Sequence, residues 1–291
     1  MGIDIGQALR EGASRTAARH GLALAAVFAG IALLTTVLFQ TLSVAAVDTV
    51  LATLQSASPG DLGLTQTEYE QAVSEAETSL GNIRDASPLA LGVSVGPAAA
   101  GLVALALVGE AVSIVAVRVF AAESPGAVRR DDLTENILLA TLNGFVGGII
   151  VWGLIAFGAV FLLLPGIALA VLFYFMRQEI AINDKNFVQA MADSWRITKG
   201  NRIRVFVVGA VLVIVSRLEE VSSAAVGVVS TTGGAIAASV VGGLLAAFGA
   251  AVATRAYVQL GAGDEGAERA EPDEEPTDPY DAALGPDDLS R

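Results

Sequence analysis

The chain contains no cysteine. Disulfides, thiolate metal sites and cysteine nucleophiles are therefore excluded. Histidine is nearly absent too. The single one, His20, sits where the N-terminal segment meets the first apolar run, with no metal-ligating partners near it in sequence. Neither a metal nor another cofactor is implied. Lysine is scarce: of 17 basic residues, only Lys185 and Lys199 are not arginine. No polar stretch is long enough to form a soluble catalytic domain, and no catalytic set falls at one depth. The glycine clusters "GFVGG" (144–148) and "TTGGA" (231–235) lack the Gly-Lys-Ser/Thr ending of a phosphate loop. The sequence reads as a non-enzyme.

Apolar sequence is what remains. Hydrophobic residues make up 54% of the 291, and mean hydropathy is +0.63. Several runs exceed the roughly 20 residues that cross a bilayer as a helix. They lack the in–out alternation of outer-membrane barrel strands. The expected fold is all-α: a polytopic membrane helix bundle of about six transmembrane helices plus an interfacial amphipathic helix.

The expected layout starts with a cytoplasmic amphipathic segment, 1–20. Spans follow at about 21–47, 89–117, 137–160, 167–182, 203–220 and 233–257, within a membrane domain of 21–258. The run 21–47 is too long for the h-region of a signal peptide. Residues 137–176 are almost unbroken apolar sequence and must fold back; "LLLPG" (162–166) is the candidate turn, because Pro165 disfavours helix before it and Gly166 tolerates a turn. Residues 48–88 read as an outer loop, with helical character after Thr65 or Thr67. Residues 259–291 read as a disordered acidic cytoplasmic tail.

Charge fixes the expected orientation. Net charge is −13, which argues against a nucleic-acid partner, but it is unevenly spread. Eleven acids lie in 264–288 and seven in 48–85. With the N-terminus inside, fifteen of the 17 basic residues fall on inner segments and only Arg84 and Arg217 on outer ones. That is the positive-inside asymmetry. It predicts a multi-pass protein of the cytoplasmic membrane with both termini cytoplasmic.

The densest basic stretch is "NFVQAMADSWRITKGNRIRVF", 186–206. On a helix over 184–199, Phe187, Ala190, Met191, Ser194, Trp195 and Thr198 share one face. Lys185, Gln189, Asp193, Arg196 and Lys199 share the other. Asn183 or Asp184 is a candidate cap, and Gly200 a natural C-terminal stop. Such a helix suits a position along the headgroups, where Trp195, Arg196, Lys199, Arg202 and Arg204 form a candidate surface for anionic lipid or a protein partner. A partner membrane protein or a second copy of the chain is the other class of contact. The alternative is a plain cytoplasmic connector.

A second candidate site is intramembrane. Glu110 lies about 12 Å along its helix from Arg118. An acid there usually faces the bundle interior or a wet cavity. Its expected neighbours are Asn143 or Thr141. With Gln40, these groups are the only basis for an alternative reading as a small transporter or channel-like protein. Arg177 with Glu179, and Arg217 with Glu219 and Glu220, read as anchors at span ends. Gly144, Gly147, Gly148, Gly153 and Gly158, and then Gly233, Gly234, Gly242, Gly243 and Gly249, read as helix-packing positions.

The stretch after the fourth span resembles an Ala-x-x-x-Ser-Trp-x-Leu/Ile-Thr-x-Gly pattern, here Ala190, Ser194, Trp195, Ile197, Thr198 and Gly200. That pattern belongs to a group of six-helix membrane proteins, which includes the membrane domain attached to some glycerophosphoryl diester phosphodiesterases and uncharacterised bacterial and haloarchaeal families. The resemblance implies a six-helix fold and little about activity, since the catalytic half of such phosphodiesterases is absent here. The arginine-rich, lysine-poor, acid-rich composition also resembles that of proteins from salt-loving archaea, although high-GC bacteria approach it.

Overall fold

The structure, a computed structural model, describes residues 2–122, 134–161 and 163–268; helices joined by short connections make up this part, with no strand among the described residues. Most of the predicted acidic tail, 269–291, and the connection holding Arg129 and Arg130 lie outside the described residues. In chain order the helices are α1 (Ile5–Ala17), α2 (Arg19–Ser56), α3 (Gln66–Ala86), α4 (Val95–Ala121), α5 (Ile137–Phe161), α6 (Leu163–Leu172), α7 (Met176–Asn183), α8 (Phe187–Ile197), α9 (Arg202–Gly227) and α10 (Thr231–Glu268). Five segments are long and apolar enough to cross a membrane: α2, α4, α5, α10 and the stretch Leu163–Asn183 that joins α6 to α7. The sixth predicted span, α9, has the length but not the composition. Its uncharged stretch, 205–216, is bracketed by Arg204 and Arg217.

Several predicted boundaries are corrected. The helix of the first span has 38 residues, about 57 Å long and nearly twice the hydrocarbon thickness. It therefore runs well into the predicted outer loop, and α3 folds back along it. Tyr69 donates to the Leu54 carbonyl (3.1 Å) and Arg84 pairs with Asp48 (3.3 Å). Thr65 caps α3 through a capping box with Glu68. The amide and hydroxyl of Thr65 hold the Glu68 carboxyl below its usual range. The second span starts later than predicted, at Val95, because residues 89–94 turn back over α2. There the amides of Leu89 and Leu91 donate to Gln40 Oε1 and Thr41 Oγ1, 2.9 Å each. Gln40 serves this turn and does not join a mid-bundle polar group.

The chain reverses where predicted, with Gly158 of α5 against Gly166 of α6, but Pro165 is not itself the turn. It sits in the first turn of α6, where its missing N–H would have had no helical partner anyway. The fourth crossing, expected as one helix over 167–182, is broken at 173–175 between α6 and α7. At the other end of the chain, α10 continues through residues predicted as tail, to Glu268. Leu260 there is buried, and Gln259 accepts from the Asp4 amide at 2.7 Å. The N-terminal segment is not free either. α1 lies along α10, with Gly12 against Val252 and Glu11 paired to Arg255.

The large helices pack through small residues, as predicted for several glycines. α10 packs most extensively on α2, and a Cβ added at Gly243 would collide with the Ala29 backbone. α9 and α10 form an antiparallel hairpin in even register. Gly249 faces Leu212, Gly242 faces Glu219 and Gly234 faces Gly227, so equal steps along one helix match equal steps along the other.

Candidate functional site: a charged layer and a polar pocket

Helix contacts place a set of ionisable groups at one level of the bundle. Gly109 of α4 is next to Ile31 of α2, Ala29 of α2 meets Gly243 of α10, and Gly242 meets Glu219 of α9. Glu110, Glu219 and their neighbours therefore lie in one layer. The layer is about 12 Å from the level of Arg118.

Glu110 does not bond Asn143 or Thr141. Its two carboxylate oxygens accept from Arg177 Nε and Nη2, 2.9 Å each. This forked geometry is the strong form of a carboxylate–guanidinium contact. Gly144 makes room for it, since any Cβ there would run into Glu110. Asn143 turns elsewhere. It donates to the Leu139 carbonyl and accepts from the Phe187 amide (3.1 Å), so it caps the start of α8 from α5. Arg217 pairs with Glu220 on the exposed side of α9. Arg217 was expected on an outer segment. It instead lies ten residues before the end of α9 at Gly227, about 15 Å short of it. The layer thus holds two ion pairs, level but on different helices.

The second feature is at the basic end. Asn186, not Asn183 or Asp184, caps α8. Asp184 instead ends α7 in a left-handed conformation (φ 49°), and Gly200 takes φ 85° after α8. Ala190, Ser194 and Thr198 are fully buried, and Phe187 and Met191 pack on the α4–α5–α7 core. Most of the predicted apolar face is therefore spent on the bundle, not on headgroups. Ser194 bridges two elements through its hydroxyl. The Oγ accepts from the Phe175 amide (3.1 Å) and donates to the Leu172 carbonyl (2.9 Å). It supplies two of the bonds that the break between α6 and α7 leaves open.

Glu179 was expected at a span end as an anchor. It is instead 3% exposed. Tyr257 (3.0 Å), Asn183 (2.8 Å) and Lys185 (2.8 Å) all donate to it. Lys185 reaches on to Asp193, which also holds Arg196. Burial pulls the Lys185 ammonium down, but the hydrogen bonds to Asp193 and Glu179 outweigh it and hold it above its ordinary value. The same contact with Lys185 holds the Asp193 carboxyl below its usual range. Above this network is a pocket of about 390 Å³, lined by Lys185, Asp193, Arg196, Lys199 and Asn201 among others.

The five predicted surface residues divide between two sides. Trp195 remains 47% exposed, with Arg202 over its ring at 5.9 Å and Phe173 at 6.2 Å. Arg196 and Lys199 turn to the pocket. Arg204 bonds Asn201 and covers Gly2. Two further arginines clamp helix ends. Arg118 donates to Ala181 O (2.7 Å) at the end of α7 and pairs with Asp184. Arg15 donates to Phe120 O (3.0 Å) and Ala122 O at the end of α4.

This helical frame, from Ile3 in the core to Leu260 beside the pocket, coincides with a recognised unit. Residues 3–260 match a family described as a domain of unknown function, DUF7847. The chain belongs to the DUF7847 family. No curated protein and no solved structure matches it. Within this DUF7847 chain, two partnerships are not visible in the sequence. Arg177 stands beside Glu179 in the chain, but its partner Glu110 is 67 residues away. Tyr257 carries no sequence signal at all, because its partner Glu179 is 78 residues distant.

Proposed function

We propose that the protein is a non-catalytic component of the cytoplasmic membrane, with six crossings and both termini cytoplasmic, whose basic end holds anionic lipid headgroups. One observation carries this reading: the α8 segment buries Ala190, Ser194 and Thr198 and leaves Trp195, Arg196, Lys199 and Arg202 outward. An aromatic–arginine pair beside a pocket lined by three cations and two carboxylates suits the boundary between acyl chains and phosphates. The even register of α9 against α10 supports the sixth crossing, since a helix that keeps pace with a crossing helix traverses the same depth. Transport through Glu110 draws less support, because Arg177 already satisfies both its oxygens and Gln40 and Asn143 are engaged elsewhere.

The test replaces Arg196, Lys199, Arg202 and Arg204 together by Gln. Wild type purified from mixed phosphatidylglycerol–phosphatidylcholine membranes should carry an excess of the anionic lipid, read by mass spectrometry of bound lipid. The variant should lose that excess while keeping its orientation, read by accessibility of single cysteines introduced into the cysteine-free chain. Equal lipid composition for the two proteins would sink the reading.

A further inference from the structure

From 213 onward α9 is covered on its α10 side, while Val213, Ile214, Arg217, Leu218, Glu220 and Val221 are exposed. Arg217 and Glu220 form an ion pair one helical turn apart, and their side chains are 65% and 68% exposed. Neither is near an end of the bundle, because Glu219 between them is level with Gly242 and, through Gly243 and Ala29, with Glu110. On the six-crossing reading this pair would face hydrocarbon. Charged groups within membranes almost always face protein or water, because lipid cannot solvate them.

We infer that this face of α9 is covered by the same face of a second copy of the chain. The occupant follows from the charge pattern. A cation and an anion one turn apart on one stripe are self-complementary: across a two-fold axis, Arg217 of each copy meets Glu220 of the other. The four charges then satisfy one another in forked contacts. The flanking Val213, Ile214, Leu218 and Val221 supply apolar packing on both sides. An apolar partner protein would leave the pair unsolvated, and a partner of single charge would match only half of it.

This inference rests on α9 crossing the membrane, and the experiment separates the two. Two differently tagged chains are made, one with Glu220→Arg and one with Arg217→Glu. The first carries two cations on the stripe and the second two anions. Wild type should purify as a dimer. Each variant alone loses both charged contacts and should associate at least about tenfold more weakly. Co-expressed, the two should pair with each other and elute together through both tags. An intrachain role for Arg217 and Glu220 cannot produce that rescue, because neither chain regains an internal pair. Variants that stay dimeric alone, or that fail to pair together, overturn the inference. Should the single variants not accumulate, Arg217→Leu with Glu220→Leu serves instead, and undiminished association overturns the proposal. A Leu218→Cys chain reports the topology. Ready labelling by a membrane-impermeant maleimide refutes the crossing and the dimer together, whereas no labelling with no rescue refutes the dimer alone.

Discussion

Ser194→Ala isolates the hydroxyl that holds the broken fourth crossing together. The substitution keeps Cβ and opens almost no cavity, so packing is nearly constant. It removes the acceptor for the Phe175 amide and the donor to the Leu172 carbonyl. Phe175 and Ser194 are fully buried and Leu172 nearly so, which leaves little room for water to replace the bonds. An unsatisfied buried backbone group costs about 1–3 kcal/mol. Two of them, with partial relaxation, should cost about 2–4 kcal/mol. The effect should concentrate at the break. Hydrogen exchange in detergent should accelerate at the Phe175 amide by about 30-fold to 1,000-fold, the same free energy expressed as a ratio, while amides in the middle of α10 change far less. Ser194→Thr should also destabilise, through crowding at a site with no spare volume. An exchange rate within about threefold of wild type at Phe175 would show that Ser194 does not secure the break.

Two further outcomes are expected. Gly243→Ala should destabilise by about 1–3 kcal/mol or more, because the new Cβ meets the Ala29 backbone, which cannot rotate away. Gly148→Ala, where nothing lies within 4 Å, should be neutral or stabilising by up to about 1 kcal/mol through helix propensity; comparative unfolding in detergent measures both, and a reversed order would contradict the packing. The docking of α8 should depend on pH only at the extremes. Asp193, held low, contributes above its ordinary value of 3.8 and loses that contribution as pH falls below it. Lys185, held high, contributes below 10.5 and loses it as pH rises beyond. Hydrogen exchange of α8 should therefore be flat from about pH 5 to 9 after correction for intrinsic rate, and a transition near neutrality would contradict the assignment.

The helices themselves were legible from hydropathy, because long apolar runs leave a chain few other ways to satisfy its backbone. The start of α3 was legible to within two residues, since Thr65 and Thr67 each stand three residues before a glutamate and the structure chooses Thr65. The break at 173–175 was not. Its sequence is apolar and lacks glycine and proline, and the residue that makes the break tolerable, Ser194, lies about 20 residues further on. The reversal beside Pro165 was legible, but not the role of the proline: in a first helical turn it is harmless, and sequence alone does not tell a first turn from the reversal itself. Glu110 was identifiable as a costly intramembrane acid, but its partner depended on which helices pack. The helix in the basic stretch was legible from its period, yet its apolar face was assigned to lipid. The core of α4, α5 and α7 uses most of it.

The even register of α9 and α10 bears on how the chain gets into a membrane. On the six-crossing reading, α9 offers the insertion machinery an uncharged stretch of about 12 residues, well short of the roughly 20 that leave water readily. Arg217, Glu219 and Glu220 each add a penalty of up to about 3 kcal/mol if presented alone. α10 carries no such burden over 231–254 and is the stronger half. α9 should then remain at the surface during synthesis until α10 emerges, and the two should enter as a hairpin, with Glu219 lying against Gly242. The crossing that looks weakest in the sequence is thus one that depends on the order in which the chain is made.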